Sequence, residues 1–459
     1  MNSLTNQKNS THSDNAKMAL SFFAKHKIKF FLFLAILLSL NTHWMVLREW
    51  HMPTYGNTMI HIASARHVVE HGEYPLIDYS YGGGIANLYV PHYRMLVATT
   101  SILTGFSLDF TSRMLVLLFA IMLPLGFFLL TRKLFDENTA VLAALFSILP
   151  GEMLIYTVRP LPQALGLILL PIAFHAFLGR KHLLTLFLAF AITFTHQEAV
   201  AYLFGSVGVF LAFTVLHILW RLFVSKQFNH QIHSDLVRKS LFLLVLCLSV
   251  YLLWQFVMIG HINVFELAQF KNHEGNTVSL DSYLLKTGNL VASFSLLGLL
   301  IGLSFLLRNM LSDVNNISAE MKGGIFVFFT FFASALSSFF ILNGFSLSRN
   351  ASFVSISFPF FLGPLEGTEI IFISIVVALF FVLVIKTLFE KSKSFMKADK
   401  IAHLFLLALF FAGFFAVKND AIGLRVFMDR FLVYLQQPLV IFAALGANGI
   451  VEFVNSLRK

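Results

Sequence analysis

"YRMLVATTSILTGF", residues 93–106, is apolar enough to compete as a membrane span, and its reading decides the layout of everything after it. Counted as a span, it sends each later loop to the other side of the bilayer. Left outside, as an interfacial or re-entrant helix, it gives a Lys+Arg tally of 22 on one face against 11 on the other. Basic residues collect on the cytoplasmic face of membrane proteins. The second reading is therefore adopted, with "TRK" (131–133), "GRK" (179–181), Lys226, Arg238, Lys239 and "EKSKSFMKADK" (390–400) cytoplasmic.

The whole chain fits a bilayer. Of its 459 residues 57% are hydrophobic and 12% charged, and the mean hydropathy is +0.78. Apolar runs recur from end to end, which marks an all-α polytopic membrane protein. Twelve spans are expected, at 30–47, 113–131, 139–155, 162–178, 183–196, 198–223, 240–258, 290–307, 325–342, 369–388, 401–417 and 431–452. Residues 1–29 read as a disordered basic cytoplasmic tail and 30–459 as a single transmembrane domain. No small-residue cleavage site follows "FFLFLAILLSLNTHW" (30–44), so the first span reads as an uncleaved anchor. Both termini are then cytoplasmic. The net charge of +10 follows from this topology and does not call for nucleic acid. The single cysteine, Cys247, lies in an apolar run and excludes a disulfide framework.

The longest polar excursion is 48–112, the first extracytoplasmic segment. A helix over 57–71 places Asn57, His61, Ser64 and His71 on one stripe, with Arg66 and Glu70 pointing away. Gly72 ends it and Pro75 prevents its restart. It reads as an amphipathic helix on the membrane surface. "DYSYGGG" (78–84) follows as a loop whose glycines permit close backbone approach. The histidines at 51, 61, 67 and 71 have no matching carboxylate nearby, so no metal site is expected. A divalent ion is conceivable and nothing requires one.

Eight of the eleven outer basic residues are arginines: Arg48, Arg66, Arg94, Arg113, Arg159, Arg349, Arg425 and Arg430. The planar guanidinium matches phosphate and carboxylate, where lysine is a point charge. Other polar stretches on this face are "YTVRPLPQALG" (156–166), "THQEA" (195–199) and "LRVFMDRFLVYLQQPL" (424–439). Glu198 and His196 stand at the membrane boundary, where an ionisable residue is a functional candidate. No Walker motif, G-x-S-x-G or H-E-x-x-H occurs.

The order of these stretches resembles the GT-C superfamily of integral-membrane glycosyltransferases. A span leads to an outer helix ending "EHGEYP" (70–75), then Asp-Tyr with glycines, then "YVPHYRML" (89–96). "RPLPQALGLILLP" (159–171), "THQ" (195–197) and "RFLVYLQQPLVIFAALG" (430–446) follow in turn. Relatives include protein mannosyltransferases, aminoarabinose transferases and oligosaccharyltransferases. The last branch is the least expected, because its paired acids are missing from the second outer loop and no large soluble domain follows the last span.

The resemblance implies a polyprenyl- or dolichyl-phosphate-linked sugar donor, transfer on the extracytoplasmic side, and a glycan, lipid or protein acceptor. It implies an acid in the first outer loop as base or acceptor organiser, and outer arginines on the lipid phosphate. Asp78 is the candidate acid, with Glu198 or Glu49 in reserve. Arg159 and Arg430 are the candidates for phosphate, with Arg66, Arg94 and Arg349 in reserve, and Asn57 and His61 would line the pocket. Asn57 departs from the pattern, since relatives commonly carry an acid there and an amide cannot take a proton. Either Asp78 acts alone, or Glu49 or Glu198 reaches the same pocket, or the scaffold lacks the usual chemistry. The last case would be a non-catalytic lipid-binding or partner subunit. A lipid or solute transporter is the remaining alternative.

Overall fold

The computed structural model describes the backbone of residues 2–49, 57–78, 85–87, 89–225, 230–259, 286–312, 314, 318–348, 367–391, 400–422 and 428–458. Side chains are described from His26 onward, and that of Asp78 is not among them. The expected tail thus falls largely outside the described side chains, although helix α1 has bounds Asn2–Glu49.

The chain is all-α. The outer segment supplies α2 (Asn57–His71), the two-residue strands β1 (Ile77–Asp78) and β2 (Ile85–Ala86), and α3 (His92–Thr104). Helices α4 (Leu108–Leu134), α5 (Glu137–Phe146), α6 (Gly151–Thr157), α7 (Pro162–Leu178), α8 (His182–Thr193) and α9 (Gln197–Trp220) follow. The rest are α10 (His230–Ile259), α11 (Asn289–Ser312), α12 (Ala319–Ser348), α13 (Gly367–Lys391), α14 (Lys400–Val417) and α15 (Met428–Leu457).

Among the described residues seven helices are long and apolar enough to cross a membrane, or eight if the bent pair α5–α6 counts as one. Shorter apolar helices lie at 162–178, 182–193 and 401–417. Helices thus stand at all twelve expected positions, but the length criterion does not reproduce a count of twelve. One departure has a physical reason, and the run kept out of the spans is short. The run 139–155 is not one helix: it bends by 73° between Phe146 and Gly151, where Pro150 starts the second piece with extended ψ. And 93–106 forms α3, whose 13 residues rise about 20 Å, short of the roughly 30 Å of bilayer hydrocarbon.

Local signals set several ends. Ser107 caps α4 by accepting from the Phe110 amide at 3.3 Å, and Arg132 and Lys133 occupy its last turn, where the helix dipole favours cations. Asp136 caps α5 through the Thr139 amide at 2.9 Å. Gly105 closes α3 with φ 73, a left-handed conformation that suits glycine.

Helix α15 is the centre of the bundle, buried on every side from Phe431 to Gly446. It packs on α5, α9, α11, α13 and α14. Backbones touch along α11: a Cβ at Gly298 would overlap the Phe442 carbonyl, and one at Gly446 that of Phe294. Small residues permit such close approach between membrane helices. The polar residues of α15 also have work. Pro171 lacks an N–H, which orphans the Leu167 carbonyl four residues back in α7. Gln437 Nε2 donates to that oxygen at 3.0 Å. In hydrocarbon such satisfaction is compulsory.

The two ends of the bundle differ. Arg132, Lys133, Arg180, Lys181, Arg238, Lys239 and Arg308 lie at one end, where Asn448 near the close of α15 donates to Thr139 at 3.0 Å. Helices α2 and α3, the α8–α9 turn and the start of α15 lie at the other.

Candidate functional site

The site builds from the outer helix pair. Helix α2 packs on α3 through Thr58, His61, Ile62, Ser64, Ala65 and Val68. That face differs from the expected stripe: His61 and Ser64 are buried, while Asn57 and His71 are exposed. Burial follows the apolar residues Ile62, Ala65 and Val68, which turn the helix away from the polar stripe.

Arg94, in the first turn of α3, is fully buried. Its Nε donates to His61 Nδ1 at 3.1 Å. Its Nη1 donates to Tyr74 Oη at 2.6 Å and to Asn87 Oδ1 at 2.9 Å. The guanidinium lies 4.7 Å from the Tyr89 ring centroid, a cation–π contact. Asn87 in turn donates from Nδ2 to the Pro75 carbonyl and from its amide to that of Leu76. The box therefore clamps both ends of the hairpin that carries Asp78, whose backbone pairs with Ile85. No carboxylate is in contact with Arg94 among the described residues, and its Nη2 has no hydrogen bond there. Because His61 Nδ1 accepts, that imidazole is neutral. Burial pushes its pKa well below 6.5, and Arg94 and then His196 push the same way.

The α8–α9 turn docks against α3. The His92 amide donates to the Phe194 carbonyl at 2.9 Å, and His92 Nδ1 meets Thr195 Oγ1 at 2.6 Å. The turn then presents His196 and Glu198. His196 Nδ1 lies 2.6 Å from Glu198 Oε2 and 3.3 Å from the Tyr434 hydroxyl. Glu198 Oε1 lies 3.5 Å from Arg430 Nη1. The Glu198 side chain is 7% exposed, that of Arg430 43%. Burial lowers the His196 pKa, Glu198 raises it, and Arg430 lowers it again.

The bend at α6 brings in a third strip. Tyr156 sits close enough to feel the charges of Glu152, Arg430, Asp429 and Glu198. Arg159 lies 5.6 Å from the Tyr156 ring centroid. Glu152 pairs with Lys286 at 2.8 Å, and Gln436 ties the start of α6 to residues 286–287, accepting from the Met153 amide at 3.0 Å.

The candidate residues separate accordingly. Glu198 and Arg430 are in contact and both act electrostatically on Tyr156, Arg159 lies over the Tyr156 ring, and His61 lies within electrostatic reach of His196. Glu49 is exposed and pairs with Arg48 at 3.1 Å, so it is not brought to this cluster. Arg66 and Asn57 are exposed on α2, and Arg94 is enclosed in its own box. Asp78 has its backbone placed, while Arg349 and Arg425 lie outside the described residues. His67 and His71 stack at 4.2 Å without a carboxylate, and no three His, Cys, Asp or Glu side chains gather among the described residues. Tyr156, Tyr434, Tyr74, Asn87 and Lys286 were not anticipated. Tyr74, Tyr156 and Tyr434 lie inside stretches that the sequence singles out, while Asn87 and Lys286 carry no local signal.

No protein-family model and no curated protein sequence matches the chain. Solved structures do. The crystal structure of the apo Archaeoglobus fulgidus oligosaccharyltransferase matches at 17% identity with a TM-score of 0.51, covering 95% of this chain and 52% of that one. The same enzyme tethered through a disulfide to an acceptor peptide with an NVT sequon matches at 16% identity and a TM-score of 0.50, over 94% of this chain and 50% of that one. This chain therefore spans about half the length of the structures it matches. The fold likeness comes from the branch that sequence reading ranks last, and at this identity it carries architecture without carrying the branch. The chain is an all-α polytopic membrane protein whose fold is similar to that of the Archaeoglobus fulgidus oligosaccharyltransferase.

Proposed function

We propose that this protein transfers a sugar from a polyprenyl- or dolichyl-phosphate donor to a glycan, lipid or protein acceptor on the extracytoplasmic side of the membrane. The observation that carries the reading is the contact of Arg430, Glu198, His196 and Tyr434 beneath the outer helices, at the bundle end opposite the basic turns. A donor anchored in lipid presents its phosphate at this depth. As the bond from the sugar C1 to the phosphate oxygen breaks, negative charge grows on the leaving lipid phosphate. Arg430, with Arg159 beside it, stabilises that charge. The acceptor oxygen bonds to C1 and gives its proton to a carboxylate. Asp78, delivered by the clamped hairpin, is the proposed base or acceptor organiser. Glu198 holds Arg430 and His196 in place and stands next in line for the proton. Arg94 acts as the clamp, because three of its bonds are already committed to protein. Arg66 and Arg349 are secondary candidates for phosphate. No obligatory metal is invoked, membrane lipids surround the bundle, and both termini are cytoplasmic by the distribution of Lys and Arg.

The test is transfer by the purified protein from labelled lipid-phosphate sugars, for the parent chain and for Glu198→Gln and Asp78→Asn. Either variant should lose about 100-fold if its carboxylate takes the proton. Full activity in both variants would remove both acids from the mechanism. A second reading has its own observation. Asn57 is an exposed amide, and two carboxylates at the site, Glu152 and Glu198, are ion-paired. This favours a non-catalytic subunit that binds polyprenyl lipid. A parent chain that binds the lipid phosphate and never turns over, across a range of donors, would establish that alternative.

A further inference from the structure

The acids around Tyr156 are not alike. Three carboxylates act on it electrostatically: Glu152, Asp429 and Glu198. Glu152 is committed to Lys286 at 2.8 Å. Glu198 is committed to His196 at 2.6 Å and to Arg430 at 3.5 Å. A carboxylate held against a cation is a weaker base, because the cation favours its charged form. Asp429 is different. It is half-buried in the first turn of α15, and it makes no hydrogen bond or ion pair among the described residues. Residues i and i+1 of a helix do not face each other, so its carboxylate is not spent on the guanidinium of Arg430. A helix start presents free amides and suits an acid there.

The other polar groups nearby are poorer proton acceptors. Tyr156 and Tyr434 carry phenols, which are protonated at neutral pH. His196 is engaged through Nδ1 by Glu198 and Tyr434. We propose that Asp429 is the catalytic base of this site. The proposal rests on the sugar-transfer reading and leaves Asp78 to organise the acceptor. The acceptor hydroxyl bonds through its oxygen to the sugar C1, and its proton passes to the Asp429 carboxylate. The bond from C1 to the phosphate oxygen breaks, and its electron pair leaves with the lipid phosphate, beside Arg430. Two neighbouring residues at the start of α15 thus serve the two ends of one displacement. Glu198 then has one task, to hold Arg430 and His196.

The experiment uses the full chain in nanodiscs with labelled lipid-phosphate sugars, and it reads donor binding and transfer separately. Asp429→Asn should lose about 100-fold in kcat. It should bind the donor as tightly as the parent or more so, since a negative charge has left the surroundings of the phosphate. Its unfolding temperature should match the parent's, because no bond is lost. Asp429→Glu keeps a carboxylate and should retain more of the rate than Asp429→Asn. Equal loss in the two variants would overturn the proposal. A kcat for Asp429→Asn equal to the parent's would overturn it too, while the sugar-transfer reading would stand. Donor binding that falls together with the rate would make Asp429 a binding or structural group and overturn it as well. A parent chain that binds the donor and never turns over would sink the sugar-transfer reading, and this proposal with it.

Discussion

Two arginines on the same end of the bundle sit in opposite surroundings. Arg94 is fully buried among neutral acceptors, His61, Tyr74 and Asn87, under the Tyr89 ring. Arg430 is 43% exposed and faces the carboxylate of Glu198. The first region is closed: most of its donors are spent on holding a hairpin to a helix pair. The second is open to a ligand, and its carboxylate is shared with His196. Residue type alone made both plausible phosphate ligands. Burial and partners divide them into a structural clamp and a proposed binding group.

That division can be broken most sharply at Arg94. Replacing it with Met leaves the buried His61 and Asn87, and the half-buried Tyr74, without these bonds and should cost about 3 kcal/mol. Thermal unfolding in detergent measures it, and a neutral result would dissolve the clamp. Arg430→Met should cost about 1 kcal/mol or less, because its ion pair is partly solvated. A larger loss there than at Arg94 would reverse the comparison.

The open region is tested by function. Arg430→Lys keeps the charge and loses the planar fork, so donor use should fall about tenfold in kcat/KM. An unchanged value would show that no bidentate phosphate contact is made. Acidification tests both regions together. His61 and His196 have pKa values held below 6.5, chiefly by burial. The unfolded chain therefore binds protons that the folded chain refuses, and stability falls as pH drops below that value toward the folded pKa values. His61→Gln keeps an acceptor for Arg94 and should flatten part of this acid limb. An identical pH profile would mean that His61 does not report on folding. The smallest effect is expected at Arg66, exposed on α2, where Ala should change stability by no more than about 0.5 kcal/mol.

Particular elements show how far sequence reading reached. The charges around 93–106 kept α3 out of the spans, and its 13 residues fit that reading. The 57–71 helix was legible in its bounds, with Gly72 at φ 75 just beyond it. Its buried face was not, because Asn57 and His71 suggested a polar stripe and the packing chose Ile62, Ala65 and Val68. The bend at 147–150 lay inside an apolar run, where hydropathy has no power to distinguish one helix from two. Glu198 and Arg430 were each visible as boundary charges, but their contact was not.

What the sequence determined by itself was membership of the bilayer, the places of its helices and the separation of basic turns from arginine-bearing loops. Those follow from transfer free energy, which is summed locally along the chain. Only the tertiary structure decided that Arg94 is enclosed by residues from 61 to 89, and that Glu198 meets Arg430 across 232 positions. Contacts of that kind depend on how helices pack, and separation along the chain carries no record of it.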